Sequence, residues 1–420
     1  MEIVIHGVSH EGDGVGRTPE GKVVFVPGAL PGDTARVELT VKKKKVQHGR
    51  MTDLVVPSPD RVVSRCGIDK CGGCSLKSLS VEGQSIVKKD RIINALTRIA
   101  KVAIPESFDF VGAQSAWHYR HRVRMHAHWS GESWRIGFHA RRSNDVVPHA
   151  GCPVLWPELD KYITRVVPAI HRIPREVGLQ EVEAVWSRKS KRGALRLIIQ
   201  GDPAFFRKST TWMDEAGILG IEIAKGDSIS RFGNCELNYD QTVGDYDLSF
   251  ETGTFTQANP AMNDELVRRV VSSINPMKGP KVMEMHAGIG NFSLPLAVMG
   301  ADVSAFEINP NSSIQSERNA ARVPIALENT CIRDADAVER MSEFDTLLLD
   351  PPRSGAREVA REAARPGSGP ARIVYVSCDP ATLARDVAIL KEGGYSLVNL
   401  TGFDMFPGTP HVEVLAVLER

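Results

Sequence analysis

From about Thr254 onward the chain alternates short apolar runs with helical segments, and this alternation narrows the fold more than any other feature. It specifies an α/β architecture with a parallel, doubly wound sheet. The run KVMEMH reads as a buried strand and is followed at once by AGIGNFSLPLA, a glycine-bearing turn that opens a helix. Such a turn sets side-chain-free backbone against a ligand at the carboxyl edge of the sheet. Alone it fits nucleotide cofactors in general. The next strand, ADVSAF, ends in Glu307, which is placed either to accept hydrogen bonds from two ribose hydroxyls or to cap the helix near Pro310. DTLLLD ends in Asp350-Pro351-Pro352-Arg353 and RIVYVS in Cys378-Asp379-Pro380. Ligands of open α/β sheets bind where strands end, so these three polar ends are expected to share one crevice. The last segment, FPGTPHVEVLAVLER, puts His411 and Glu413 at the start of a final strand.

Four separated motifs sharpen this reading: Phe255-Thr256-Gln257-Ala258-Asn259, DPPRSG, YVSCDPATLARD and MFPGTPHVE. In that order they resemble the RNA uridine-5 methyltransferases, a branch of the class I methyltransferases. The resemblance implies that Gln257 and Glu307 hold the methyl donor S-adenosylmethionine and that Asp350 lies between donor and uracil. It implies Cys378 as nucleophile and Glu413 as base. Two positions depart from the family pattern: His286 stands where an aromatic residue usually meets the cofactor, and Ala287 where a cysteine is usual. His286 is expected at the cofactor edge, stacking through its ring or filling space.

The expected chemistry needs these residue types. Carbon-5 of uracil is too poor a nucleophile to take a methyl group directly, so a nucleophile must first add at carbon-6 and generate an enolate, a task suited to a thiolate. A base must then remove the carbon-5 proton so that the thiol can leave. For Cys378 the alternative is a small buried hydrophobe; Cys235 and Cys331 are read as ordinary packing. Amino-group methylation uses a Pro-Pro-aromatic loop, and Arg353 occupies the aromatic position here. Cytosine-5 methylation also uses cysteine, but the motifs around Cys378 and Glu413 resemble the uridine family.

The front of the chain has a different character. Of 420 residues, the first 150 hold 23 Lys+Arg against 15 Asp+Glu and nine of the twelve histidines, while the remainder holds 29 against 36. A polyanion should therefore dock mostly at the front, unless the asymmetry is only solvated surface charge. Short β-rich runs (Glu2 to Ile5, Lys22 to Val26, Thr34 to Val41, Met51 to Val56) separated by turns such as EGDGVGR suggest a small closed barrel. The basic run Lys42 to Lys45 would lie on its rim, in contact with phosphate or as a solvated edge. Through EGDGVGR and VVFVPGALPGD the barrel resembles the TRAM domain, an oligonucleotide-binding-like fold.

Cys66-x4-Cys71-x2-Cys74 places three thiols on one loop, and Cys152-Pro153 supplies a fourth. Four thiolates hold either zinc or an iron–sulfur cluster, and spacing does not choose between them. CGGCS with the distant Cys-Pro is similar to the four-iron four-sulfur site of many family members, which implies a 4Fe-4S cluster on Cys66, Cys71, Cys74 and Cys152. Ser75 stands where the family has Gln. Residues 117 to 142 interleave Arg and His with Trp and Tyr, as suits strands that offer cations to phosphate and rings to unstacked bases, or a half-buried sheet with a charged outer face.

The expected organisation is a TRAM-like barrel at 1–57, a cluster-bearing β-rich central domain at 58–250 and a catalytic domain at 251–420, with the helical stretch at 81–112 packing on the last. Hydrophobic and charged fractions of 42% and 25% exclude a disordered or fibrous chain, and no apolar run approaches the roughly 18 residues that span a bilayer. A cytoplasmic monomer without a membrane partner is expected. The barrel with the cluster resembles enzymes of large-subunit ribosomal RNA, so the expected substrate is 23S rRNA, with transfer RNA uridine-54 as the alternative. A further alternative is a non-catalytic RNA-binding protein on the same fold.

Overall fold

The structure is a computed structural model that describes the chain except residues 43–45, 209–212, 215–216, 242, 244–245 and 324–326. Most of the basic run Lys42 to Lys45 thus lies outside the described residues.

Eight strands form the main sheet, in the spatial order Leu327–Cys331, Asp302–Glu307, Lys281–Met285, Thr346–Leu349, Arg372–Ser377, Glu413–Glu419, Ser396–Phe403, Asp109–Val111. All neighbours are parallel except around Glu413–Glu419, which runs antiparallel to both of its neighbours. The order turns back between Lys281–Met285 and Thr346–Leu349, and the crevice at such a switch point is where doubly wound sheets bind ligands. The central strands read as unbroken apolar runs because helices cover both faces. One cover is the helix Val81–Ala95, whose Ile92 and Ala95 sit in the core beneath the helix Pro380–Glu392. This helix and the edge strand Asp109–Val111 precede the central β-rich region in the chain but pack with the C-terminal sheet.

The N-terminal barrel closes through Glu2–Val8, Gly14–Arg17, Val23–Val26, Val46–Val56 and Thr34–Lys42. Gly14–Arg17 is a strand, although its glycines read as a turn. Gly16 lies so close to its neighbour that a Cβ there would come within 2.3 Å of Ile3 Cγ2, so the glycine serves strand approach.

The central region carries a seven-stranded sheet with the helix Pro157–His171 packed on it through Leu159, Tyr162, Ile163, Val166, Ala169 and Ile170. Within the domain expected to be β-rich, this helix shows in the sequence as apolar residues at helical spacing, Leu159, Tyr162, Ile163, Val166 and Ile170. Among the described residues, no helix is long and apolar enough to cross a membrane.

Candidate active site

Strand register brings the candidate nucleophile and base together. Ser377 pairs with Val414 across the antiparallel ladder, so Cys378, one step beyond its strand, emerges beside Glu413, the first residue of its own. Asp379 then caps the helix Pro380–Glu392, accepting from the backbone N–H of Ala381 at 2.8 Å and of Thr382 at 3.0 Å, which fixes Cys378 in a two-residue link between strand and helix. Asp350 follows the strand Thr346–Leu349, which neighbours the Cys378 strand and lies two places from that of Glu413.

These groups feel each other's charge in a dry setting. Burial, helped by Glu413 and Asp350, pushes the Cys378 thiol up to about 12, and Arg353 offsets part of the rise. Burial also lifts Glu413 well above the usual carboxylate range, with Asp350 adding and Arg353 opposing. Asp350 rises to about 7 through burial and the nearby Glu307. Packed carboxyls in low dielectric resist ionising together, so protons are retained here near neutral pH.

The donor side is built around the turn after Lys281–Met285. His286, Gly288 and Gly290 all have left-handed backbones, with φ of 64°, 60° and 94°. A Cβ on Gly288 would meet nothing within 4 Å, so the turn opens onto free space. The Glu307 carboxylate borders that space: Gly288 N–H donates to Oε2 at 2.8 Å and Asn309 N–H to Oε1 at 2.7 Å. Asn309, and not Glu307, caps the following helix. Each Glu307 oxygen keeps a lone pair for a ribose hydroxyl. Gln257 is buried, and its backbone carbonyl accepts from His121 Nε2 at 3.1 Å and from the Tyr239 hydroxyl at 2.9 Å. His286 turns its Nε2 towards Asp334, 3.4 Å away.

One residue of this site escaped the sequence reading. Glu284 is wholly buried in Lys281–Met285, its carboxyl rises to about 8 mainly through burial, and neither of its oxygens has a hydrogen-bond partner among the described residues. Ser293 lowers the rise from nearby but lies outside hydrogen-bond geometry. The signal was an acid inside the otherwise apolar KVMEMH run. An orphaned buried carboxyl beside an open glycine turn suits a cationic ligand such as a sulfonium donor with its ammonium group.

Two rings of the Arg- and His-rich segment, Trp134 and Tyr119, turn inwards, while Trp117 and Trp129 stay half-buried. Trp134 is buried and donates to Ile173 O at 2.8 Å, and Tyr119 is buried and donates to Pro407 O at 3.0 Å. Arg122 donates to Thr254 O and Thr256 Oγ1, each at 2.9 Å, and so pins the stretch leading to Gln257. The segment forms a half-buried sheet whose exposed outer face carries Arg124, His128 and Arg135.

The four candidate cluster cysteines are all free thiols. Burial raises the Cys74 thiol to about 12, with Cys152, Cys71 and Cys66 each adding, so the four are electrostatic neighbours despite the 77 residues between Cys74 and Cys152. Among the described residues, no three His, Cys, Asp or Glu stand ready to hold a metal ion. Four half-buried thiols within reach of one another's charge would fit a metal group, whose positive charge would lift the penalty on ionisation at Cys74 and Cys152. Cys235 is buried, as expected of packing, but Cys331 is exposed at the end of an edge strand and packs little.

Doubly wound sheet, open glycine turn, the acid ending the next strand and the antiparallel strand Glu413–Glu419 set between two parallel ones together match the class I methyltransferase fold. Residues 237–420 match the family described as tRNA (Uracil-5-)-methyltransferase and residues 1–52 the TRAM domain. The 23S rRNA (uracil(1939)-C(5))-methyltransferase RlmD of Methylococcus capsulatus is 34% identical, with 99% of this chain and 96% of that protein covered. The protein of the same name from Aeromonas hydrophila is 33% identical over 100% and 96%. The crystal structure of Pyrococcus abyssi tRNA (uracil-54, C5)-methyltransferase in complex with S-adenosyl-L-homocysteine superposes with a TM-score of 0.76 at 25% identity, covering 100% of this chain and 99% of that one. The chain belongs to the family of S-adenosylmethionine-dependent RNA uracil-5 methyltransferases.

Proposed function

We propose that this protein methylates carbon-5 of one uridine in 23S ribosomal RNA through a covalent Cys378 adduct. The observation that carries the mechanism is the register of Ser377 with Val414, which sets Cys378 beside Glu413. The ribosomal substrate is supported by the relatives at 33–34% identity over essentially the whole chain.

The donor supplies an electrophilic sulfonium methyl group; Glu307, Gln257, His286 and Glu284 would hold and orient it. Cys378 loses its proton to solvent before the uracil seals the site, and the thiolate adds through Sγ to carbon-6 of the flipped uracil, which turns carbon-5 into an enolate nucleophile. Arg353 favours the thiolate, since its charge is the one that lowers the thiol. Asp350, between donor and base, orients the uracil. After carbon-5 is methylated, Glu413 takes its proton, and the electrons left behind expel the Cys378 thiolate. Burial makes Glu413 a stronger base once ionised. Exclusion of water and alignment of the reacting groups supply much of the rate, since effective molarities reach about 10⁵ M or more.

Cys66, Cys71, Cys74 and Cys152 would hold a 4Fe-4S cluster with a structural role. The transfer RNA reading keeps one support, the fit of the whole chain to the archaeal uracil-54 enzyme. Incubating purified protein and Cys378→Ala with radiolabelled donor and unmodified 23S rRNA or transfer RNA, then digesting to nucleosides, tests both. Label in 5-methyluridine from ribosomal RNA, absent with the variant, is the expected result; label only in transfer RNA selects the second reading, and no label from well-folded protein selects a non-catalytic RNA binder.

A further inference from the structure

A second cavity, about 450 Å³, opens where the barrel, the cysteine loop and the central sheet meet. The barrel contributes Glu11, the cysteine loop Gly72 and Gly73, and the central sheet His126, His139 and Arg141. These segments are held together around it: Gly72 N–H donates to His139 O at 2.9 Å, and Arg142 bridges to Asp13 and, at 3.5 Å, to Glu11.

Three features of its wall indicate a ligand. His126 and His139 stack with centroids 3.6 Å apart and planes 26° apart, forming a flat platform. His139 Nδ1 and Arg141 Nη2 are buried with no hydrogen-bond partner among the described residues, and such groups are rare unless a ligand or water completes them. Gly72 and Gly73 complete the wall, Gly72 packed on the His139–Arg141 backbone, where a Cβ would come within 2.9 Å of His139 O, and the Glu11 carboxylate is 70% exposed and available as an acceptor.

Given that the substrate is RNA, we propose that this cavity receives a second unstacked base of the strand, distinct from the methylated uridine. A base has a π face for the imidazole platform, acceptors for Arg141 and His139, and donors for Glu11. A phosphate would face the Glu11 and Asp13 carboxylates and gains nothing from the platform. The cavity would thus fix the register of the strand at a distance from the chemistry, adding a recognition element that the catalytic crevice does not contain.

The test uses an RNA fragment that the wild-type holoenzyme methylates, so the functional reading is checked independently. Arg141→Met and His139→Leu are expected to weaken binding of that fragment roughly 5- to 150-fold, the range of a lost base stack, with donor affinity and iron content at wild-type levels. Abasic substitutions are then scanned along the fragment. At one position other than the target uridine, removing the base should weaken wild-type binding by a similar factor yet leave Arg141→Met unaffected. The proposal is overturned if both variants bind the intact fragment as wild type does, if the losses simply multiply at every position, or if iron is lost together with affinity, which would assign Arg141 and His139 to the cysteine site.

Discussion

Leu76, two residues past Cys74, donates its backbone N–H to the carbonyl of Gly408, five residues before Glu413, at 2.9 Å. Gln84 clasps the same point from the other side: its Oε1 accepts from Gly408 N–H at 2.6 Å, while its Nε2 donates to Leu79 O at 2.8 Å. The cysteine loop and the loop that delivers the base are therefore one packed unit.

A disordered cysteine loop should then be felt at the base. Cys74→Ser is expected to lower kcat about 100-fold, since misplacement of a reacting group by about 1 Å costs that much. Donor affinity, built around the turn after Lys281–Met285, three strands from Glu413–Glu419, should stay within threefold. Single-turnover rates and calorimetry with S-adenosylhomocysteine check the split.

Removing the base should stall the reaction after the thiol has added. Glu413→Gln is expected to accumulate a protein–RNA adduct that survives denaturing gel electrophoresis, and Cys378→Ala to form none. If Glu413→Gln turns over normally, another group takes the proton.

The raised carboxyl of Asp350 carries a signed prediction. Its folded value of about 7 lies above the ordinary 3.8 of an aspartate in the unfolded chain, so between these two pH values the native state binds more protons than the unfolded chain, and stability from this group falls as pH rises. Asp350→Asn removes that penalty. The variant should melt a few degrees higher than wild type at pH 8 and no higher at pH 4, with methylation greatly reduced.

Lys88 and Asp404 form an ion pair with both side chains fully buried, and Lys88 also donates to Phe406 O at 3.1 Å. Lys88→Met leaves Asp404 without its counter-ion and should destabilise the fold by about 3–5 kcal/mol. The double variant Lys88→Met/Asp404→Leu should recover most of the loss in urea denaturation.

The site was legible where chemistry lies next to a break in apolar pattern. Glu307, Asp350 and Cys378 each end or follow an apolar run, and sheet topology brings such ends together. Glu284 was harder to see because it lies inside its run, and only the folded environment shows its oxygens without partners. Trp134 and Tyr119 turn inwards for a similar reason: alternation along a strand distinguishes two faces, but which face meets the core depends on the helix Pro157–His171 and on the loop around Pro407. The strand Gly14–Arg17 was hidden by glycines that serve close approach to Ile3 and Ala29 rather than a turn.

The placement of the helix Val81–Ala95 and the strand Asp109–Val111 in the C-terminal sheet also bears on how the protein is made. Lys88 leaves the ribosome 316 residues ahead of Asp404, roughly 15–60 s of synthesis at about 5–20 residues per second. During that interval the barrel and the central sheet can fold, while the helix waits with Ile92 and Leu96 uncovered. The nascent chain thus carries an unpaired piece of its own active-site scaffold through most of translation, the period in which a chaperone would be needed most.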